Sequence, residues 1–399
     1  MSRLEPRAVL AFLALLALPL GAAAAAAAAS PPDEIRVDYQ VGAAFLPASA
    51  TAPALLLGGG SSAAQAIGLD GRIEALPSMR HARNNASVFR AAGGVLVVGG
   101  TDPGRRNDRD RPKALPAEWF QGQEVDGGEV DEVAAIAQLK DESLLVVEPT
   151  GNVRQLRFVM REGQRALKSQ PHSRLNRERR HGWEDEKIKV RALNDGRIIV
   201  AGGMVRPELI ALYSERALKP DQPDEYIPIG GFLPWRRYEI FDPATRRWSN
   251  SAPSQSAGGI AAILGDGRVA KAGEIPQASG LENSSKHTYV LEISDPSGTR
   301  WNTLARTGSR LIVDRLFLLF TIDDELFAFG ATEYIDLGHI GNYGRRGVEW
   351  LNPATGQWEL LWQGETQDFW NGYQGLLLRR TLTGADGKTK TLIIPAGGF

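Results

Sequence analysis

One motif recurs along the chain: a β-branched or Leu-rich run that ends on glycine. Leu55 to Leu57 runs into Gly58-Gly59, Val95 to Val98 into Gly99-Gly100, Ile198 to Ala201 into Gly202-Gly203, and Leu392 to Ala396 into Gly397-Gly398. Weaker copies are Leu144 to Val147 before Glu148, Val269 to Ala272 before Gly273, and Leu326 to Phe329 before Gly330. The positions that follow the seven runs are about 56 residues apart on average. A repeat of this size is one supersecondary unit that cannot bury its apolar faces alone, so the copies must stack. Asp195-Gly196, Asp266-Gly267 and Asp386-Gly387 each sit between two apolar runs. That is a hairpin signal, because glycine accepts the positive φ of a tight turn. A glycine pair at a strand end admits close backbone approach where a side chain would clash.

A second element follows at a variable distance. It reads Tyr238-Glu239-Ile240-Phe241-Asp242-Pro243 and reaches Trp248; Tyr289 to Trp301 repeats it through Asp295-Pro296, and Val348 to Trp358 through Asn352-Pro353. In all three copies the aromatic stands six residues after the Asp or Asn. Asp/Asn-Pro opens a tight turn, and the Trp returns on the next strand to pack against a neighbouring sheet. Each unit therefore holds two hairpins, or four strands.

These residues resemble the kelch repeats: an Asp-Gly turn, an apolar strand, a glycine pair, a Tyr, then a Trp six residues past an Asp-Pro turn. The resemblance is fullest over 191–248 and 258–301, partial over 80–100, 320–358 and 375–398, and weakest over 130–160. It implies an all-β, kelch-type β-propeller of seven four-stranded blades, or six if 130–160 is not a blade. The last unit stops at Phe399, directly after its glycine pair, so its outer strands are missing. A strand near Glu34–Gln40 is expected to complete that blade, which then has as few as three strands, and to close the ring without open edges.

Arg3 and Arg7 precede an apolar run from Ala8 to Leu20, and small residues from Gly21 to Ala29 follow. The run is too short to span a bilayer and reads as a signal peptide over 1–29, with cleavage before Ser30. Residues 30–399 are then a single propeller domain without a transmembrane segment, expected in the periplasm or outside the cell. With no cysteine, the fold has neither disulfides nor thiolate chemistry to draw on. The 46 basic and 47 acidic side chains offer no global field for nucleic acid.

In a four-stranded blade, the segments after the glycine pair and those between blades leave on one face, and the Asp-Gly and Asp-Pro turns on the other. Long segments at 101–118, 204–236, 274–287 and 331–347 all fall on the first face, as binding insertions do. Arg80, His81, Arg83 and Asn84 lead into one inner strand, and Arg180-His181 leads into another in a parallel way. These positions are expected near the central channel, where arginine forks would meet carboxylates or other anions. The alternative is pairing with neighbouring acids, the reading preferred for Arg105, Arg106, Arg109 and Arg111. Trp119-Phe120, Phe232 to Trp235, Tyr343, Trp370 and Tyr373 are expected to flank the same openings as sugar platforms, or else to wedge between blades.

Catalytic and metal motifs are thin. His81, His172, His181, His287 and His339 form no close pair, and Asp323-Asp324-Glu325 reads as a solvated turn, so no metal and no cofactor is expected. The repeat is distantly similar to galactose-oxidase-type propellers, but the cross-linked Tyr–Cys cofactor of that group needs a cysteine absent here. It is also distantly similar to sialic-acid mutarotases, which resemblance makes Glu274, directly after Gly273, the acid–base residue. Their carboxylate-holding Arg a few residues on has no counterpart in 275–281. The reading is an exported, non-catalytic binding protein for a glycan, a cell-envelope component or a partner protein. The alternative is a carbohydrate mutarotase or isomerase using Glu274.

Overall fold

The computed structural model describes residues 33–37, 42–91, 94–103, 115–120, 122, 124–126, 128–130, 134–180, 187–205, 233–234, 236–274, 289–304, 315–336, 342–365, 375–384 and 387–396. After β1 (Glu34–Val37), blade 1 is β2 (Ala43–Leu46), β3 (Ala54–Gly58), β4 (Ala64–Ile67) and β5 (Ile73–Leu76). Blade 2 is β6 (Ser87–Ala91), β7 (Gly94–Val98), β8 (Ala117–Trp119) and β9 (Glu124–Val125). Blade 3 is β10 (Ala135–Gln138), β11 (Leu144–Val147), β12 (Asn152–Arg161) and β13 (Gln164–Arg174). Short strands β14 (Arg179–Arg180), β17 (Met204–Val205) and β18 (Leu233–Pro234) make a small sheet beside blade 4. Blade 4 itself is β15 (Lys189–Ala192), β16 (Ile198–Ala201), β19 (Glu239–Asp242) and β20 (Arg247–Asn250). Blade 5 is β21 (Ala257–Ile263), β22 (Val269–Glu274), β23 (Tyr289–Ser294) and β24 (Trp301–Thr303). Blade 6 is β25 (Arg315–Ile322), β26 (Glu325–Asp336), β27 (Asn342–Asn352) and β28 (Gln357–Glu365). β29 (Gly375–Thr383) and β30 (Thr389–Pro395) join β1 in blade 7. Every strand pairing is antiparallel, and the seven blades form a β-propeller.

The apolar runs are the second strands of the blades, and their composition follows from burial on both faces. Successive side chains point to opposite neighbours. Leu96 and Val98 of β7 pack against blade 3, whereas Val97 packs against blade 1. Ile198 and Val200 of β16 face blade 3, while Ile199 and Ala201 face blade 5. Seven hydrophobic clusters result, one at each blade–blade interface, including the interface of blades 7 and 1 that closes the ring. Each fully buried Leu, Ile or Val contributes roughly 1.5–3 kcal/mol to this packing.

The Asp/Asn-Pro…Trp segments behave as their spacing demands. Asp242 accepts from Ala244 N at 2.9 Å and Thr245 Oγ1 at 2.9 Å, and Asn352 accepts from Ala354 N at 2.9 Å. At Asp295, burial opposes the charge, but hydrogen bonds from Thr299, Ser297 and Arg300 outweigh it and hold the carboxyl down at about 2. The returning Trp248, Trp301 and Trp358 pack into the interface with the preceding blade, and Trp248 Nε1 donates to Ser173 Oγ of blade 3 at 3.0 Å.

Blade 7 has three strands, and β1 completes it, as the sequence implies. Its order is the unexpected part: β1 pairs with β29 and not with the glycine-pair strand β30. Arg380 of β29 donates to Leu361 O on the outer strand of blade 6, and Arg379 Nε to Leu69 O in an outer turn of blade 1. Lys390 of β30 instead reaches the inner turn of blade 6, at Asp323 O (2.8 Å) and Glu325 Oε1 (3.0 Å). The C-terminal hairpin thus fills the inner part of the blade, and the N-terminal strand seals the outside. The Asp323-Asp324-Glu325 turn is correspondingly an inter-blade latch: Lys390 holds Asp323 and Glu325, and Arg191 of blade 4 holds Asp324.

Candidate functional site

On the glycine-pair face, the segment connecting blades 1 and 2 lies between two post-glycine segments. Arg83 bridges to Ser61 of blade 1, and Asn84 to Thr101 of blade 2. The glycines make this possible. Gly100 has φ +84°, and a Cβ there would stand 2.7 Å from Asn84 O; at Gly58 it would stand 2.6 Å from Arg83 O. Blade 4 repeats the arrangement, with Arg180 of β14 paired to Met204, the residue after its glycine pair.

Beneath these bridges lie two buried ion pairs. Arg83 Nη1 donates to Gly99 O at 2.6 Å and Nη2 to Pro116 O, while Nε stands 3.6 Å from Glu118 Oε1. Arg179 Nη1 donates to Gly202 O at 2.7 Å, and its Nη2 lies 4.0 Å from Glu239 Oε1. Burial lowers both guanidinium groups, Arg179 to about 10, and raises both carboxyls against the pull of their arginine partners. Glu239 also accepts from Arg177 N at 3.2 Å, which ties the inter-blade segment to the third strand of its blade.

This register moves the expected parallel between the two segments. Arg83 corresponds to Arg179, so Asn84 corresponds to Arg180, and Arg80-His81 to Asn176-Arg177. Arg80 and His81 also lie away from the channel: both meet Glu124 on the outer strand of blade 2, His81 Nε2 at 2.8 Å and Arg80 Nη1 at 3.8 Å. Arg80 and Glu124 are exposed and His81 half-buried, an ionic cluster on the outer rim of the face. Hydrogen bonding from His81 lowers the Glu124 carboxyl. Arg83 is fully buried: its two Nη atoms donate to backbone carbonyls, while Nε has no hydrogen-bond partner and faces Glu118 only across 3.6 Å. The Asn84 Oδ1 atom is buried without a hydrogen-bond partner.

Glu274 closes β22, its backbone paired with Ala257 and Tyr289. His181, Trp370 and Tyr373 lie outside the described residues, as do Arg105, Arg106, Arg109, Arg111, Phe232 and Trp235. Trp119 and Phe120 do not flank an opening. Trp119 stacks on Phe158 of blade 3 with centroids 5.5 Å apart and Arg165 over its ring, and Phe120 is buried between blades 1 and 2.

Two groups of residues were not anticipated. The first is a row of buried acids in third strands: Glu118, Glu239, Glu292 and Glu349. Each pairs with the residue two positions before a strand-ending glycine: Val97, Val200, Lys271 and Ala328. The signal was present, since three of the four stand three residues before the Asp or Asn of the turn. Glu292 Oε2 accepts from Ser256 N at 2.9 Å, again joining the third strand to the inter-blade segment. The second group lines the axis. Lys189, Arg191, Ala261, Ile263, Leu319 and Phe320, from the inner strands of blades 4 to 6, surround a cavity of about 270 Å³. Among the described residues, no three His, Asp or Glu side chains are grouped to hold a metal ion, and no helix is long and apolar enough to cross a membrane.

The chain matches no protein-family model and no curated protein. Among solved structures it is similar to YjhT, at 18% identity over 90% of this chain and 95% of that one, with a TM-score of 0.37. It is similar to a streptogramin B lyase at 8% identity over 90% and 94%, TM-score 0.45. Virginiamycin B lyase from Staphylococcus aureus gives 9% identity over 90% and 98%, TM-score 0.46. The propeller is therefore read from this chain's own strand order and blade packing.

Proposed function

We propose that this chain is an exported, kelch-type propeller that acts as a non-catalytic binding protein, taking a glycan, a cell-envelope component or a partner protein on its glycine-pair face. The observation that supports this reading is the asymmetry of the connections. On that face, 99–116, 202–238 and 275–288 separate strands that pair or sit in one blade, while the first hairpins turn within 193–197, 264–268 and 323–324 on the other. A rigid ring that lengthens its loops on one side presents a surface without moving its core. Arg80 gives that surface an exposed guanidinium at its rim, 3.8 Å from the Glu124 carboxylate.

The test follows the melting temperature of residues 30–399 against neutral and acidic sugars at low and high salt. An acidic sugar is expected to raise it at low salt, less so at high salt, and not in Arg80→Glu. An equal rise in Arg80→Glu would remove this rim from the site. No rise with any sugar would discard the glycan and leave a protein or envelope partner.

A further inference from the structure

We infer that the axial cavity between blades 4, 5 and 6 is a binding site for a small organic carboxylate, with Lys189 as the cation that holds it. Lys189 lies at the glycine-pair end of β15, opposite Ala201, and the site is the axial cavity rather than the loop surface proposed above. The cavity, at about 270 Å³, lies near the lower end of small-molecule sites, which run roughly 300–1,000 Å³. Beyond Lys189 and Arg191, its lining, from Val190, Ala261, Ile263, Phe320 and Thr321 among others, is a mixed apolar and polar wall along the three inner strands.

The charges around it are unequal in their commitments. Lys189 and Arg191 are two apart on β15 and share one side of the strand. Arg191 closes the cavity toward the turns: it donates to Ile263 O at 2.9 Å and to Asp324 Oδ1 at 2.5 Å, so its charge is matched. Lys189 is half-buried, and no hydrogen-bond acceptor or carboxylate meets it among the described residues. The flanking strands β10, β16 and β21 carry no ionisable side chain, and from β25, Thr321 and Phe320 face the cavity. Among the described residues of its own segment the charged neighbours are Lys187, which repels it, and the already paired Arg191; Glu184, Asp185 and Glu186 lie outside the described residues. Burial, reinforced by Lys187, brings the ammonium down to about 8. A cation kept in apolar surroundings without a partner is costly, and an incoming carboxylate relieves that cost through a charge-assisted hydrogen bond. The ligand must be small and singly charged, since the cavity is small and offers one unmatched ammonium.

Benzoate and benzamide have nearly the same shape and differ in charge, which makes them suitable probes. In the millimolar range at neutral pH, benzoate is expected to raise the wild-type melting temperature by roughly 2–4 °C, and benzamide is not. The rise should persist in Lys189→Arg, vanish in Lys189→Met, and fade in the wild type as pH climbs through about 8, where the ammonium deprotonates. Equal responses to the two probes, an undiminished benzoate response in Lys189→Met, or no benzoate response in the wild type would each overturn the assignment. If Lys189→Met does not fold, the wild-type pH series decides alone: a rise unchanged between pH 7 and pH 9.5 overturns it.

Discussion

Gly100 and Gly356 both have left-handed backbones, at φ +84° and +67°, yet they do different work. Gly356 closes an exposed turn, and nothing lies within 4 Å of where its Cβ would stand. Gly100 holds the blade 1–blade 2 connection against the strand end, with Asn84 O, Ala86 N and Ala86 Cα all crowding that position. Gly356→Ala should therefore cost only the left-handed penalty, about 1 kcal/mol. Gly100→Ala should cost more, about 2–3 kcal/mol, because the backbone of the connection must also shift. Urea unfolding of the two variants checks the difference, and equal losses would mean that the connection yields freely. The glycine pairs were legible in the sequence because their positive φ, and at Gly58 and Gly100 the crowding of the connection as well, disfavours a side chain. The Arg83 side chain was not: its charge suggested a surface, but the carbonyl oxygens of Gly99 and Pro116 accept its two Nη groups inside, with the Glu118 carboxylate 3.6 Å from Nε.

At the scale of elements, the third strand does more than follow the second. Its buried acid binds the segment that leads into the blade, so inner and outer strands are connected across the glycine-pair face. Arg179 and Glu239 are both fully buried, and removing one charge leaves the other without compensation. Arg179→Met is expected to cost about 3–5 kcal/mol. The double variant Arg179→Met with Glu239→Gln should recover much of it, since the amide oxygen still accepts from Arg177 N. A double-mutant cycle in urea measures this, and additive losses would show that the two side chains act independently. Blade 3 shows where local pattern was insufficient. Its outer hairpin, β12 and β13, runs to Arg161 and Gln164 and covers the edge of blade 2, with Leu167 N donating to Asp126 O at 2.7 Å. The segment lacks the glycine pair and the Asp-Pro turn, and it supports its neighbour through length and the Trp119–Phe158 stack.

For the whole molecule, closure is the decisive event. Ile35 and Val37 of β1 share a core cluster with Leu377 and Ile393 of blade 7 and with Ala43, Ala54, Leu56 and Ile67 of blade 1. Removing everything before Gly42 would uncover that cluster and leave β29 as an unpaired edge. The shortened chain is expected to melt at least 5 °C lower, roughly, and to self-associate in size-exclusion chromatography. Unchanged melting and a monomeric profile would show that β1 is dispensable for closure. On the turn side, inner strands are joined by a series of side-chain bonds: Arg90 to Pro47 O and Pro53 O, Gln138 to Arg90 O, Arg191 to Ile263 O, and Lys390 to Asp323 O. These bonds are far apart in sequence, and none of them is visible in a single repeat.

The amino-acid sequence alone determined the repeat and its hairpins, because strand burial on both faces and the conformational needs of tight turns act over a few residues; the kelch resemblance implied the propeller but left seven blades or six open, and the structure decided seven. The sequence also contained the N-terminal strand that closes the ring. Only the tertiary structure decided where β1 pairs, which arginines turn inward, and that Arg80 and His81 stand on the rim. The physical reason is that a charged side chain's position depends on the partners that distant blades bring to it. The same holds for Lys189: among the described residues, its three neighbouring strands β10, β16 and β21 contribute no charge.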